Sequence, residues 1–143
     1  MKRLTHEQVY LDTNIFIAAI EAFNSVALEL FQMAEKGLVF LVTSEVTRGE
    51  LLVKPLMAND TQLPQRYEAL FDNPQMLNAV VADRDVMREA ASLSAQCGLE
   101  LLDAIHCATA HVAGCAYIIS EDRDMQGYSP VEVLSLDELE TMA

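Results

Sequence analysis

The feature that most constrains this chain is its alternation of short, β-rich apolar runs with stretches that repeat apolar residues at helical spacing. Gln8 to Leu11 is a short apolar stretch ending in Asp12-Thr13-Asn14, and Ile15 to Ile20 continue as a dense apolar segment. This reads as a buried strand, then a turn with a helix start. Ser25 to Glu35 places Val26, Leu30, Met33 and Ala34 on one helical face, and Lys36-Gly37 is a stop signal. Leu38 to Thr43 is too short for a helix and apolar enough to be covered on both faces, as strands of a parallel sheet are. Ser44 to Val53 returns to helical spacing. Leu56 to Phe71 is one helix at most, entered after Pro55 and interrupted or restarted near Pro64. Met76 to Val81 reads as a strand, Asp83 to Gln96 as an amphipathic helix closed by Gly98, and Leu101 to Ala113 as a buried helix ended by Gly114. Ala116 to Ile119 and Val131 to Leu134 supply two further strands, and Leu136 to Met142 a terminal helical turn or two.

Strands alternating with helices argue for an α/β fold with a mostly parallel sheet. No repeat or linker divides the 143 residues, so residues 1–143 are expected to form one domain, long enough to bury roughly two-thirds of its unfolded surface. An apolar share of 52% beside 22% charged residues excludes a disordered tail. The longest apolar runs, such as Val112 to Ser120, fall far short of the roughly 20 residues a membrane-spanning helix needs. Met1-Lys2-Arg3 is basic but is followed by His6, Glu7 and Gln8 rather than by an apolar signal region. A soluble, cytoplasmic protein is expected. Cys97, Cys107 and Cys115 are odd in number and lack the close pairing that zinc sites use, so they read as buried thiols in a reducing compartment.

In open parallel sheets, ligands gather beyond the carboxyl ends of the strands. Asp12 directly follows the first strand, Asp122 follows a later strand by two residues, and Asp103 opens the buried helix before that strand. Glu50 lies in the helix that begins where the second strand ends. Each has a structural reading of its own: Asp12 as a helix cap, Thr47-x-x-Glu50 as a capping box, Asp103 as a cap and Asp122 as a turn residue. Together they point elsewhere, because carboxylates gathered in a cleft repel one another unless a cation neutralises them or some are protonated. Oxygen-only ligands suit Mg²⁺ or Mn²⁺, and a carboxylate-held divalent ion suits phosphodiester hydrolysis.

Four segments carry a family resemblance. They are Tyr10-Leu11-Asp12-Thr13-Asn14-Ile15-Phe16-Ile17, Ser44-Glu45-Val46-Thr47-Arg48-Gly49-Glu50-Leu51, Leu102-Asp103-Ala104-Ile105-His106-Cys107-Ala108-Thr109-Ala110 and Ile118-Ile119-Ser120-Glu121-Asp122-Arg123-Asp124-Met125. In order and spacing the chain resembles the PIN-domain family from Val9 to about Leu136. The resemblance implies a Rossmann-like three-layer sandwich with a central, mostly parallel sheet of four to five strands and a metal-dependent ribonuclease site. Carried over by position, Asp12, Glu50, Asp103 and Asp122 would hold Mg²⁺ or Mn²⁺. Asn14 would orient Asp12, and Ser120 would support the site from behind. Met125 stands where the family usually has an aromatic residue, Glu121 and Asp124 flank Asp122, and Glu45 is a rival to Glu50. Many small members are toxins of the VapC type, paired with an antitoxin and usually homodimeric. His106, one helical turn beyond Asp103, reads more readily as a packed histidine than as a site residue.

The formal charge is −13, with nine Lys and Arg against 22 Asp and Glu. Setting the quartet aside still leaves 18 acids against nine bases, so the metal site does not account for the acidity. Arg48, Lys54 and Arg123 lie close in sequence to Glu50 and Asp122 and are candidates for phosphate contacts, with ion pairs to Glu45, Glu121 or Asp124 as the alternative. An acidic exterior disfavours indiscriminate polyanion binding and suits a selective, structured RNA and a basic antitoxin segment. A non-catalytic PIN-fold module is the competing class. A phosphotransfer receiver lacks its paired acids after the first strand, and nucleotide-binding folds lack their Gly-rich loop.

Overall fold

In the computed structural model, which describes residues 1–127 and 129–142, the apolar runs form β1 (Gln8–Leu11), β2 (Phe40–Ser44), β3 (Leu77–Val80), β4 (Tyr117–Ile119) and β5 (Glu132–Leu134). They make a five-stranded sheet in the order β3-β2-β1-β4-β5, and every pair is parallel. The helices between them are α1 (Thr13–Ile20), α2 (Ser25–Glu35), α3 (Glu45–Met57), α4 (Gln62–Phe71), α5 (Arg84–Cys97), α6 (Leu101–Val112), α7 (Arg123–Gln126) and α8 (Leu136–Thr141). This is the α/β sandwich expected from the sequence.

Side chains alternate across a strand, so each strand feeds two cores. Val9, Leu11, Leu41, Ile119 and Leu134 face a layer that draws Ile15, Phe16, Leu30, Tyr67 and Leu139 from α1, α2, α4 and α8. Tyr10, Val42, Ile118 and Val133 face the other way, toward Val86 and Ala90 of α5 and Ala104, Cys107 and Ala108 of α6. Small residues on α6 let that helix lie close over the sheet. Both faces are therefore covered, as a parallel sheet requires. The chain builds β1, β2 and β3 in one direction and then crosses back to lay β4 and β5 on the opposite side of β1. The switch point falls between β1 and β4.

Side-chain caps open most of the helices, and Gly98 ends α5 where the sequence placed its stop. Asn24 Oδ1 accepts the amides of Val26 and Ala27, and Ser135 and Glu138 form a reciprocal capping box on α8. Gly98 closes α5 at φ 73°, a conformation a Cβ would disfavour. Three boundaries differ from expectation. The second strand starts at Phe40, not Leu38, because the Leu38 amide turns back to Met33 and its carbonyl accepts from His6. The third helix runs through Pro55 to Met57, and left-handed Asn59 (φ 53°) then breaks it, so no helix begins at Leu56. Pro64 falls in the first turn of α4, where its missing N–H costs nothing. The short helix α7 carried no periodic signal.

Cys107 and Cys115 are buried and Cys97 half-buried, and none forms a disulfide. Burial pushes the Cys107 thiol to about 11 and that of Cys115 to about 12, so both stay protonated and inert at neutral pH. No single described helix is long and apolar enough to cross a membrane.

Ile118 is fully buried in a three-residue strand between β1 and β5. Ile118→Ala should cost about 2–5 kcal/mol in urea unfolding. A loss below about 1 kcal/mol would show that α5 and α6 do not pack on β4 as described.

Candidate active site

The parallel register brings the carboxyl ends of β1 and β4 level, with Leu11 beside Ile119 and the Asp12 amide donating to the Ile119 carbonyl. Asp12 therefore stands at the switch point with only 6% of its surface exposed. Its Oδ1 accepts the Thr13 amide at 2.8 Å, so it caps α1 as well. Its Oδ2 accepts from Ser120 Oγ at 2.6 Å and lies 3.3 Å from Asn14 Nδ2. Ser120 Oγ in turn accepts the Asp122 amide at 3.0 Å, and Asp122 caps α7. Residues from β1, β4 and α7 are thus tied together at one point.

Glu50 reaches the same place from α3. Its Oε1 accepts from Thr13 Oγ1 at 2.7 Å and from His106 Nε2 at 2.9 Å, and that nitrogen is 3.6 Å from Asp12 Oδ1. His106 Nδ1 is 2.6 Å from the hydroxyl of Tyr10. Asp103 sits one turn before His106, in the first turn of α6, where a carboxylate is favoured by the helix dipole. Glu50 and Lys54 line a cavity of about 280 Å³ on one flank, and Asp103 and Asp124 line one of about 450 Å³ on the other. A cavity of about 480 Å³ at the amino ends of β1 and β2 includes none of these acids.

The electrostatics follow from this crowding. Burial raises Asp103 above the usual carboxylate range, and the charges of Asp122 and Asp12 push it further. Glu50 moves the other way because the bond from His106, reinforced by Thr13, outweighs its burial. Burial works to lower His106, yet the bond to Glu50 and the charges of Asp12, Glu50 and Asp103 carry it upward. The donors are hard oxygens of the kind that suit Mg²⁺ or Mn²⁺. As the side chains stand, no three His, Cys, Asp or Glu residues among those described are closed around a common point. The cluster is thus one of mutually repelling carboxylates, with Glu50 drawn to His106.

A family model described as PIN domain matches residues 9–129. The chain belongs to the PIN-domain family. No curated protein sequence matches it. Among solved structures, this PIN domain is similar in fold to a chain of a toxin–antitoxin complex from Klebsiella pneumoniae, at 21% identity over 90% of this chain and 97% of that one (TM-score 0.68). It is likewise similar to a chain of VapBC2 from Rickettsia felis, bound to a DNA fragment from their promoter, at 15% identity over 90% and 98% (TM-score 0.72). A third is VapC20 from Mycobacterium tuberculosis, described as a Sarcin-Ricin loop cleaving toxin, at 16% identity over 87% and 98% (TM-score 0.69).

The PIN domain treats the candidate residues unequally. Asp12, Asn14, Ser120 and Asp122 meet directly, Glu50 joins through Thr13 and His106, and Asp103 is close enough to feel Asp12 and Asp122. Arg48 is committed elsewhere: it pairs with Glu45 at 2.7 Å, Glu68 at 2.8 Å and Asp72 at 3.5 Å, and lies over the Phe71 ring. The phosphate-contact expectation for Arg48 is therefore corrected to the ion-pair alternative, and the same bonds occupy the rival Glu45. Lys54 and Arg123 have no ion-pair partner among the described residues. Glu121 turns away to accept the Leu136 amide. Thr47 is no cap; Ser44 caps α3, and Thr47 is buried between Thr43 and Thr13. Sequence reasoning missed Tyr10, Thr13, Thr43 and Thr47 and set His106 aside. The spacing of Asp103 and His106 was the one signal that bore on it.

If like-charge repulsion is felt at Asp103, removing its charge should help the metal-free fold. A carboxyl held above its unfolded value costs stability as pH rises through the folded value. Asp103→Asn should melt higher than the parent at neutral pH in chelator. A lower melting temperature would show that the favourable place of Asp103 in the first turn of α6 outweighs the repulsion.

Proposed function

We propose that this chain, folded as one domain, is a metal-dependent endoribonuclease in which Asp12, Glu50, Asp103 and Asp122 hold Mg²⁺ or Mn²⁺. The observation that carries this reading is the Asp12 carboxylate, buried at the switch point of the sheet and tied through Ser120 to the Asp122 amide, with Glu50 held nearby by His106 and no Lys or Arg among the described residues paired with Asp12, Glu50, Asp103 or Asp122. A bound divalent ion supplies Lewis-acid stabilisation of the phosphoryl group and a water of lowered pKa. The chain's own residues do the rest. Ser120, Asn14 and the Thr13 amide fix both oxygens of Asp12, so this carboxylate meets a cation without reorganising. Lys54, which lines the cavity beside Glu50, and Arg123, next to Asp122 in sequence, have no ion-pair partner among the described residues and are the candidates to contact phosphate. No protein nucleophile is needed, and the Cys107 thiol is buried and protonated.

The similar structures are of toxin–antitoxin assemblies or a named toxin, and the reading extends here to that class. On this view the protein is a cytoplasmic toxin, active as a homodimer on a selective, structured RNA and held in check by a basic antitoxin. The −13 charge supports a basic partner.

Purified protein incubated with total RNA and short oligonucleotides should cleave with Mn²⁺ or Mg²⁺ and lose activity in chelator. Asp12→Asn and Asp103→Asn should fall to background while remaining folded. Cleavage that survives chelator, or is unchanged in both variants, refutes the reading in favour of a non-catalytic module.

A further inference from the structure

Glu50 is held by two side-chain donors on one oxygen, unlike Asp12. Both of its hydrogen bonds, from Thr13 and from His106, fall on Oε1, and Oε2 has no hydrogen-bond partner among the described residues. Asp12 by contrast is gripped at both oxygens. The terminal torsion of a glutamate is broad and its rotamer freedom large, so an unsupported Glu50 would sample many orientations. Two donors on one oxygen remove that freedom and leave the other oxygen bare.

Each donor is itself fixed from behind. His106 is 2% exposed, and its second nitrogen meets the hydroxyl of the fully buried Tyr10 at 2.6 Å. A carboxylate only accepts, so Nε2 carries hydrogen toward Glu50, and in the neutral ring Nδ1 accepts from Tyr10. Tyr10 thereby selects the tautomer that can donate to Glu50. Thr13 is backed by Thr47 at 3.1 Å, and Thr47 by Thr43 at 3.2 Å, with the Thr43 hydroxyl also 2.9 Å from the Leu11 carbonyl. Packing alone does not explain a Tyr–His pair under an Ala-rich helix: an apolar pair would fill the volume without two polar groups that must be satisfied. Every buried side-chain nitrogen and oxygen among the described residues has found a partner. The arrangement ends in one hydrogen bond, to Glu50, while Asp12 Oδ1 stands farther off at 3.6 Å.

We propose that Tyr10 and His106 form a positioning relay that fixes Glu50 by Oε1 and presents Oε2 to the cation. The relay rests on the metal-nuclease reading above. It assigns His106 a role through Glu50 rather than through RNA, so its loss should weaken metal binding and turnover and leave RNA affinity alone.

The test compares the parent with His106→Asn, His106→Gln, Tyr10→Phe and Glu50→Gln. Mn²⁺ binding is read by calorimetry, kcat and KM on an RNA substrate, and melting temperature in chelator. The Gln amide reaches where Nε2 stood and keeps a donor for Glu50; Asn is too short. His106→Asn should weaken Mn²⁺ binding about 10- to 100-fold and lower kcat at unchanged KM. His106→Gln should recover most of both, at a chelator melting temperature similar to that of His106→Asn. Tyr10→Phe, which deletes one oxygen, should shift Mn²⁺ binding the same way by less, and it carries the comparison if His106→Asn does not fold. The relay is overturned if the two His106 variants lose metal binding equally, or if His106 and Tyr10 variants leave it unchanged while Glu50→Gln abolishes it. If the parent binds no Mn²⁺ and Glu50→Gln cleaves as the parent does, the metal-dependent reading fails and takes the relay with it.

Discussion

β1 has no free edge and no free face, and the rest of the molecule is arranged around that fact. Parallel neighbours flank it on both sides, and its alternating side chains enter two separate cores. The residue that follows it cannot easily escape to solvent. That residue is Asp12, and a buried carboxylate must be matched by donors or by a cation. The same topology supplies the donors: β4 is the strand across the switch point, and Ser120 continues it. A different strand order would have left Asp12 an ordinary helix cap.

The candidate site divides into two halves with different economies. Around Asp12, short side chains and backbone amides do the holding, and little conformational freedom is lost. Glu50 comes from the body of α3 and has further to reach, so it depends on threonine hydroxyls and a buried histidine. Burial and the charges of Asp122 and Asp12 disfavour an ionised Asp103, and the two apolar cores offset that cost. This trade of stability for a preorganised acidic cleft is common where chemistry is concentrated. In the proposed reading, the divalent ion would convert that repulsion into binding energy.

The fold was legible from residue pattern because its strands are buried on both faces and its helices are well capped. The span of α2 follows directly from the apolar face and the Lys36-Gly37 stop. Proline misled at Pro55, which the helix tolerates in its last turn, since rules for a single residue do not see the packing of α3 on α4. The acids at strand ends were equally legible, because topology places strand ends and the residues follow. What stayed hidden were contacts between distant segments. Tyr10 and His106 are 96 positions apart, and nothing in a buried strand marks one tyrosine as a hydrogen-bond partner. For the same reason the sequence left Arg48 open between a phosphate contact and an ion pair with Glu45: its further partners Glu68 and Asp72 come from α4 and the residue just after it, and proximity in sequence to Glu50 says nothing of that.

The acidity of the chain acquires a different meaning once its charges are placed. Arg48 is spent on three acids and Arg3 on Glu132, so fewer bases are free than the sequence count suggests. A polyanion would gain little by lying anywhere on such a surface, because affinity for a phosphate backbone comes from cations that replace its counterions. Attraction in the proposed reading would be confined to the cleft, where a divalent ion, Lys54 beside Glu50 and Arg123 beside Asp122 in sequence would act over a few phosphates. On that reading an RNA would bind only if its shape delivered one phosphate to that point while its remaining charge stayed clear of the surrounding acids. Selectivity in this molecule would come from repulsion everywhere else as much as from contacts at the site.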